Sequence, residues 1–155
     1  MLSKFSMAIL AMAAFSCSHA GAGEQRARTE ATPLTNQEAW QIYEKYLLGW
    51  NATSEQQQAK LAAEVVAENV AYSTPRHESG GRTTIIEDMA AFQKKYPGGH
   101  FEVGDVSAHH HYALLTWVMF KPDGTELARG HDEIRVAADR KIVSVITFAP
   151  AVLKP

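Results

Sequence analysis

The sequence predicts an α+β domain in which three helices are followed by an antiparallel sheet. Two observations carry this prediction. From residue 35 to residue 96, apolar residues recur at helical spacing behind capping residues. From residue 101 to residue 148, runs rich in Val, Ile, Leu and aromatic residues are separated by turn sequences. A chain of 155 residues is long enough to form one such domain with a substantial core.

Residues 1–20 have the pattern of a secretory signal peptide. Lys4 gives a positive start, and the apolar run from Met7 to Phe15 is too short to span a bilayer. Small residues then offer cleavage near Ala20 or Ala22. We therefore expect the protein to be secreted or periplasmic.

Cys17 is the only cysteine of the chain, and it lies where a bacterial lipoprotein would be cleaved and acylated. The large Phe15 and the preceding Ala14 fit that processing poorly, so plain cleavage is favoured over a lipoprotein. The mature chain then has no cysteine, and its stability depends on its core alone.

The segments beyond the signal peptide divide into a solvated linker over residues 21–33, a domain over residues 34–150 and a tail over residues 151–155. Cleavage removes only Lys4 among the charges, so the formal charge changes from 15 − 17 = −2 to 14 − 17 = −3. That balance argues against nucleic acid or an anionic membrane as a partner. No later segment is apolar and long enough to cross a membrane, so no membrane association is expected after cleavage.

The first two helices begin at capping sequences. Thr35-Asn36-Gln37-Glu38 is a capping box, and Ser54-Glu55-Gln56-Gln57 is a second one. The predicted apolar faces are Ile42, Tyr43, Tyr46, Leu47 and Trp50 in the first helix and Leu61, Ala62, Val65 and Val66 in the second. Between them, Asn51-Ala52-Thr53 is an N-glycosylation sequon, which matters only in a eukaryotic source.

The middle of the chain predicts a short strand from Val70 to Thr74, stopped by Pro75, and a polar turn region from Arg76 to Gly81. A third helix then starts at Thr83 or Thr84. Its apolar side is Ile85, Met89, Phe92 and Tyr96, and Pro97-Gly98-Gly99 ends it.

Four strands are predicted in the remaining sequence: Phe101 to His109, Tyr112 to Phe120, Glu126 to Val136 and Lys141 to Phe148. In the third of them, alternation places Arg129, His131, Glu133 and Arg135 on one face and Ala128, Asp132, Ile134 and Val136 on the other. The second face is apolar apart from its single acid, so Asp132 is expected to point inward.

A carboxyl group on an apolar face is costly to ionise. Asp132 is therefore expected either to stay protonated and donate a hydrogen bond, or to be paired with backbone amides or with an arginine such as Arg82. The sequence leaves these two alternatives open.

Several short segments, in their order and spacing, resemble the nuclear transport factor 2-like superfamily, in particular its SnoaL-like branch. They include Tyr46 to Asn51, Val70 to Pro75, Gly81 to Phe92, Ala108 to His110, Gly130 to Asp132 and Asp139 to Ile142. The resemblance implies a cone, in which three helices close one side of a strongly curved sheet around a cavity, and a homodimer through the sheet. Members of this superfamily include ketosteroid isomerases, polyketide cyclases, scytalone dehydratase and domains without catalysis, so the fold alone does not give the reaction.

Similarity to the ketosteroid isomerases implies roles for three residues. Their oxyanion-hole aspartic acid corresponds to Asp132, and their oxyanion tyrosine falls near Tyr46. Their general base corresponds to Thr74, and threonine cannot accept a proton from carbon. The hypothesis therefore assigns the base to a histidine at the cavity mouth, His109 or His110, with His77 and His100 as further candidates.

Large side chains are expected to line the cavity around this acid. They are Trp50, Tyr72, Phe92, Leu115 and Trp117. The alternative is that they fill the core, since aromatic residues dominate protein interiors anyway. No metal site is expected from the consecutive histidines 109–111, because neighbouring strand residues face opposite ways. No cofactor is expected either.

These observations favour an exported protein that binds a small, largely apolar, carbonyl-bearing molecule. The chemistry would be that of a cofactor-free isomerase, cyclase or dehydratase that uses Asp132 and Tyr46 as hydrogen-bond donors. Two alternatives stay open at this point: a non-catalytic binding protein and a dimerising interaction module.

Overall fold

The computed structural model of the protein describes residues 32–149. The predicted signal peptide, Cys17, the tail and all but the last two residues of the linker lie outside the described residues. The elements are α1 (Asn36–Asn51), α2 (Glu55–Val65), β1 (Val66–Ser73), β2 (Glu78–Gly80), α3 (Arg82–Lys95), β3 (His100–His109), β4 (Tyr112–Phe120), β5 (Glu126–Val136) and β6 (Ile142–Phe148).

The predicted α+β cone is confirmed. Six strands form one curved sheet in the order β2-β1-β6-β5-β4-β3, with α1 packed against β3 and β4 and α3 packed against β1. Strands β3 to β6 are antiparallel, as expected, but β1 and β6 pair in parallel, so the sheet is mixed. Alternation along a strand fixes its faces and not the direction of a partner far away in sequence, which is why the parallel pair was not foreseen.

Helix α1 begins as its capping box predicts. The Glu38 amide donates to the Thr35 hydroxyl at 3.2 Å, and the Thr35 amide donates to the Glu38 carboxylate at 3.0 Å. Ser54 caps α2 with one bond, from the Gln57 amide to its hydroxyl at 3.3 Å, without the reciprocal bond of a full capping box. Helix α3 departs from the prediction, because its N-cap is Gly81 at a φ of 91° and no side chain among the described residues caps it.

The middle segment also differs from its prediction. Val66 does not extend the apolar face of α2, because it adopts an extended backbone and begins β1 four residues before the predicted strand. Glu78–Gly80, predicted as turn, forms the short edge strand β2 against β1. Both corrections concern polar or short segments, where periodicity carries little signal.

Asn51 ends α1 and connects the helix to the sheet. Its side-chain amide donates to the Phe101 carbonyl at 2.9 Å and accepts from the Phe101 amide at 2.7 Å. The sequon asparagine therefore acts as a structural link that positions β3 on the helix. Within residues 32–149, no helix combines the length and apolar character that crossing a membrane would require.

Candidate functional site

A cavity of about 400 Å³ lies between α1, α3 and the concave face of the sheet. Its wall is mostly aromatic. The aromatic residues that line it are Tyr43, Tyr46, Trp50, Tyr72, Phe92, Tyr96, Phe101 and Trp117. Two acids, Asp132 and Asp88, interrupt this wall. A mainly apolar hollow of this size with a few convergent polar groups is typical of a small-molecule site.

Asp132 points into the cone, as the alternation of β5 predicts, and the residue is only 4% exposed. Its two oxygens accept hydrogen bonds from neutral groups. The Tyr43 hydroxyl donates to Oδ2 at 2.8 Å, and the Trp117 indole donates to Oδ1 at 3.1 Å. Arg82, the alternative partner, instead donates to the Val66 carbonyl. Within residues 32–149, no cationic side chain pairs with this acid.

The pKa of Asp132 is raised from 3.8 to about 6, because burial disfavours the charged form. Hydrogen bonds from Tyr43, Thr147 and Trp117 lower the pKa and limit the rise. The carboxyl group consequently changes its charge near neutral pH. With donors on both oxygens, it is arranged as a hydrogen-bond acceptor and a proton acceptor.

Gly130 leaves the space that the Trp117 indole occupies. The two residues are opposite each other in the β4–β5 register. A Cβ atom at position 130 would lie 2.4 Å from Cζ2 of Trp117 and 2.5 Å from the Phe148 carbonyl oxygen. Any other residue here would therefore displace the indole that donates to Asp132. The glycine is needed for close packing, and it forms no bulge at this point.

Tyr46 lines the cavity and is 1% exposed, but the tyrosine bonded to Asp132 is Tyr43, one helical turn earlier. Burial first, and then the nearby charge of Asp132, raise the pKa of the Tyr46 hydroxyl, so it stays neutral. Among residues 32–149 this hydroxyl has no acceptor for its proton. It is free to donate to a ligand, and a role as oxyanion donor stays a prediction.

Asp88 is a second acid at the cavity, and the sequence analysis missed it. Three groups contact its Oδ2: the Tyr72 hydroxyl donates a hydrogen bond at 3.0 Å, Nε2 of His77 lies at 3.3 Å, and the Arg76 guanidinium forms an ion pair at 3.3 Å. Its side chain is 15% exposed. The sequence could have indicated this acid, because position 88 follows Ile85 by three residues and so lies on the apolar face of α3.

The histidines proposed as bases lie elsewhere. His109 and His110 are exposed at the hairpin between β3 and β4, with their Nδ1 atoms 3.2 Å apart, and neither lines the cavity. His109 is the last residue of β3 and pairs with the exposed Tyr112, whereas His110 lies in the turn with a φ of 52°, where alternation does not apply. His77 is the histidine that contacts the cavity wall, through Asp88.

Leu115 also departs from its predicted place. It is fully buried in the core and does not line the cavity, although it shares the inner face of β4 with Trp117. The inner face of a strand contains both core and cavity residues, and alternation cannot separate them. The other predicted lining residues, Trp50, Tyr72 and Phe92, do line the cavity, and their role toward a ligand stays a prediction.

The side chains that could bind a metal do not form a cluster in the described part of the chain. Among residues 32–149, no three side chains of the kinds that bind metals come together as a group. The expectation of a metal-free and cofactor-free protein stays a prediction.

Comparison with known proteins gives one family and many structures. The family model of the SnoaL-like domain matches residues 44–145. A SnoaL-like family protein of Agrobacterium tumefaciens, described as a candidate isomerase, is 26% identical with a TM-score of 0.68, over 74% of this chain and 99% of that one. No curated protein sequence matches significantly.

More distant structures share the fold. A candidate ketosteroid isomerase of Kribbella flavida is 21% identical, with a TM-score of 0.58 over 77% of this chain and 83% of that one. A candidate SnoaL-like polyketide cyclase of Jannaschia is 12% identical, with a TM-score of 0.59 over 76% and 88%. At these identities the likeness concerns the fold alone.

Proposed function

The chain belongs to the SnoaL-like domain family, and from that premise we propose that it binds a small, largely apolar, carbonyl-bearing molecule and catalyses a cofactor-free proton transfer next to the carbonyl. One observation carries the proposal: Asp132 is a buried acid in an aromatic cavity, with a pKa of about 6. A base is most effective when its pKa lies near the working pH.

The proposed step begins with ionised Asp132, which takes a proton from the carbon next to the ligand carbonyl. The electron pair of the broken C–H bond forms a carbon–carbon double bond, and the carbonyl oxygen takes the negative charge. The free Tyr46 hydroxyl donates a hydrogen bond to that oxygen. Where the ligand has a carbon–carbon double bond next to the deprotonated carbon, the enolate is a dienolate. Asp132 then returns the proton to the far carbon of that dienolate, and the double bond moves into conjugation with the re-formed carbonyl, which completes an isomerisation. Asp132 thus takes the role that Thr74 cannot fill.

Tyr43 and Trp117 act as positioning residues in this proposal. Their hydrogen bonds fix the orientation of the carboxyl group and limit the rise of its pKa. Without them, burial would keep Asp132 protonated at neutral pH and unable to accept a proton.

The test is hydrogen exchange into a simple ketone. β-Tetralone, a fused-ring ketone, is incubated with the protein in D₂O, and proton NMR follows the loss of the protons beside the carbonyl. Wild-type protein should accelerate exchange over buffer, and Asp132→Asn should reduce the rate by about 10²-fold or more. Glu133→Gln, the matched control on the outer face of β5, should behave as wild type.

The same experiment separates the enzyme from a non-catalytic binding protein. Binding of the ketone without accelerated exchange in wild-type protein would refute the catalytic part of the proposal and leave a binder. Unchanged exchange in Asp132→Asn would refute the role of that residue.

Export and dimerisation remain parts of the proposal. The sequence pattern of residues 1–20 supports secretion, which the mass of the mature protein would test.

On the outer sheet face, Tyr112, Leu114 and Phe148 are 42%, 50% and 55% exposed. Such a group of apolar side chains supports a homodimer through the sheet. A monomeric mass in solution would refute it.

A further inference from the structure

Asp88 has one occupied oxygen and one unoccupied oxygen. Oδ2 is the partner of Tyr72, His77 and Arg76, whereas Oδ1 has no hydrogen-bond donor among residues 32–149. A carboxylate oxygen can accept two hydrogen bonds. The donors therefore fix the orientation of the group and leave the second oxygen free to accept.

The free oxygen is not fully enclosed by protein atoms. Within the described residues, the only fully enclosed side-chain nitrogen or oxygen that lacks a partner is Oε1 of Gln58. Oδ1 of Asp88 is thus not enclosed, and Asp88 belongs to the cavity wall. An acceptor in this position can bind a donor group of a ligand.

The charges nearby select the kind of donor. Arg76 pairs with Asp88, and a second cation, Lys95, also lines the cavity. Two cations disfavour an ammonium group on the ligand, so a neutral hydroxyl is the donor that suits this acceptor.

We propose that Asp88 binds a hydroxyl group of the ligand, which makes the preferred ligand a small, mainly apolar hydroxyketone. This inference rests on the proposed function, since it assigns the carbonyl end of the molecule to Asp132 and Tyr46. The second carboxylate then fixes the orientation of the ring system in the cavity. Asp88 is a binding residue here and takes no part in proton transfer.

The inference is tested with two derivatives of β-tetralone, one with a hydroxyl and one with a methoxy group at the same ring position away from the carbonyl. The methoxy group cannot donate a hydrogen bond. Titration calorimetry measures Kd for both. Wild-type protein should bind the hydroxyketone about tenfold or more tightly than the methoxyketone. Asp88→Asn should remove this preference, because its amide places a donor where Oδ1 was. Glu87→Gln, the neighbouring acid on the exposed side of α3, should keep it.

The binding results distinguish a failure of the proposed function from a failure of the hydroxyl assignment. If neither ketone binds to wild-type protein, both the proposed function and this inference are overturned. If both bind with similar Kd values, or if the preference persists in Asp88→Asn, only the inference about the hydroxyl is overturned. The wild-type ratio alone is sufficient to refute it, even where the Asp88 variant fails to fold.

Discussion

Asp132 and Asp88 line the same cavity, but different kinds of donor hold them. Asp132 is 4% exposed and receives hydrogen bonds from the Tyr43 hydroxyl and the Trp117 indole, which are neutral. In the described part of the chain no cationic side chain is bonded to it, and burial raises its pKa to about 6. A carboxyl group in this state can both take and return a proton at neutral pH.

Asp88 instead has a guanidinium among its partners. Arg76 lies 3.3 Å from Oδ2, and the Tyr72 hydroxyl and His77 contact the same oxygen. The group is oriented, charge-paired and partly open to solvent. The two acids of one cavity are therefore suited to different tasks. The buried Asp132 is suited to proton transfer, and the charge-paired Asp88 is suited to ligand recognition.

The largest expected effect concerns the pH dependence of stability at Asp132. Its folded-state pKa of about 6 lies above the 3.8 of an exposed aspartic acid. Below about pH 4 both states hold the proton, and between about pH 4 and pH 6 the unfolded chain loses it first, so stability falls as pH rises. Relative to Asp132→Asn, the free energy of unfolding of wild-type protein should fall by roughly 3 kcal/mol across this range.

Urea denaturation of both proteins over that pH range measures this difference. Glu133→Gln serves as the control, because it removes an acid from the outer face of the same strand. A difference between wild type and Asp132→Asn that does not change with pH would show that the buried carboxyl does not titrate as proposed.

The sequence predicts one of these two acids and misses the other, for a physical reason. Alternation in β5 has a period of two, so a single acid at position 132 stands out among apolar neighbours. The apolar face of α3 is wider, and position 88 lies on it beside Ile85 and Met89, where one polar residue is easily assigned to the edge. Both acids interrupt an apolar face, but the interruption is harder to recognise on a helix than on a strand.

The other differences between prediction and structure concern how deep a side chain lies and where it points. Helical spacing places both Tyr43 and Tyr46 on the inner face of α1, but it does not show which one reaches Asp132. Alternation likewise does not separate core from cavity, as Leu115 shows. His109 ends β3 opposite Tyr112 on the outer face of the sheet, and His110 lies in the turn, where alternation no longer applies. The fold class was predictable because it depends on the order of elements, and contacts within the site depend on three-dimensional packing.

An effect of intermediate size is expected when the tyrosine that contacts each acid is replaced by phenylalanine. Tyr43→Phe removes a donor from a buried carboxylate and should lower the free energy of unfolding by about 1.5–3 kcal/mol at a pH above 6. Tyr72→Phe should cost less, because Asp88 keeps Arg76 and can recruit water. Urea denaturation of both variants checks the order, and equal losses would contradict the difference between the two ends of the cavity.

The smallest effect is expected for Arg76→Gln. The arginine side chain is 68% exposed, so its pair with Asp88 lies in a strongly screened environment and should contribute less than about 1 kcal/mol to stability. The loss should shrink further at high salt, which urea denaturation at low and high ionic strength can show. Asp88 keeps its bonds to Tyr72 and His77, so its orientation and its hydroxyl preference should persist in this variant. A large, salt-independent loss would instead mean that Arg76 is what holds Asp88 in place, and the assignment of that acid to ligand recognition would then depend on the guanidinium.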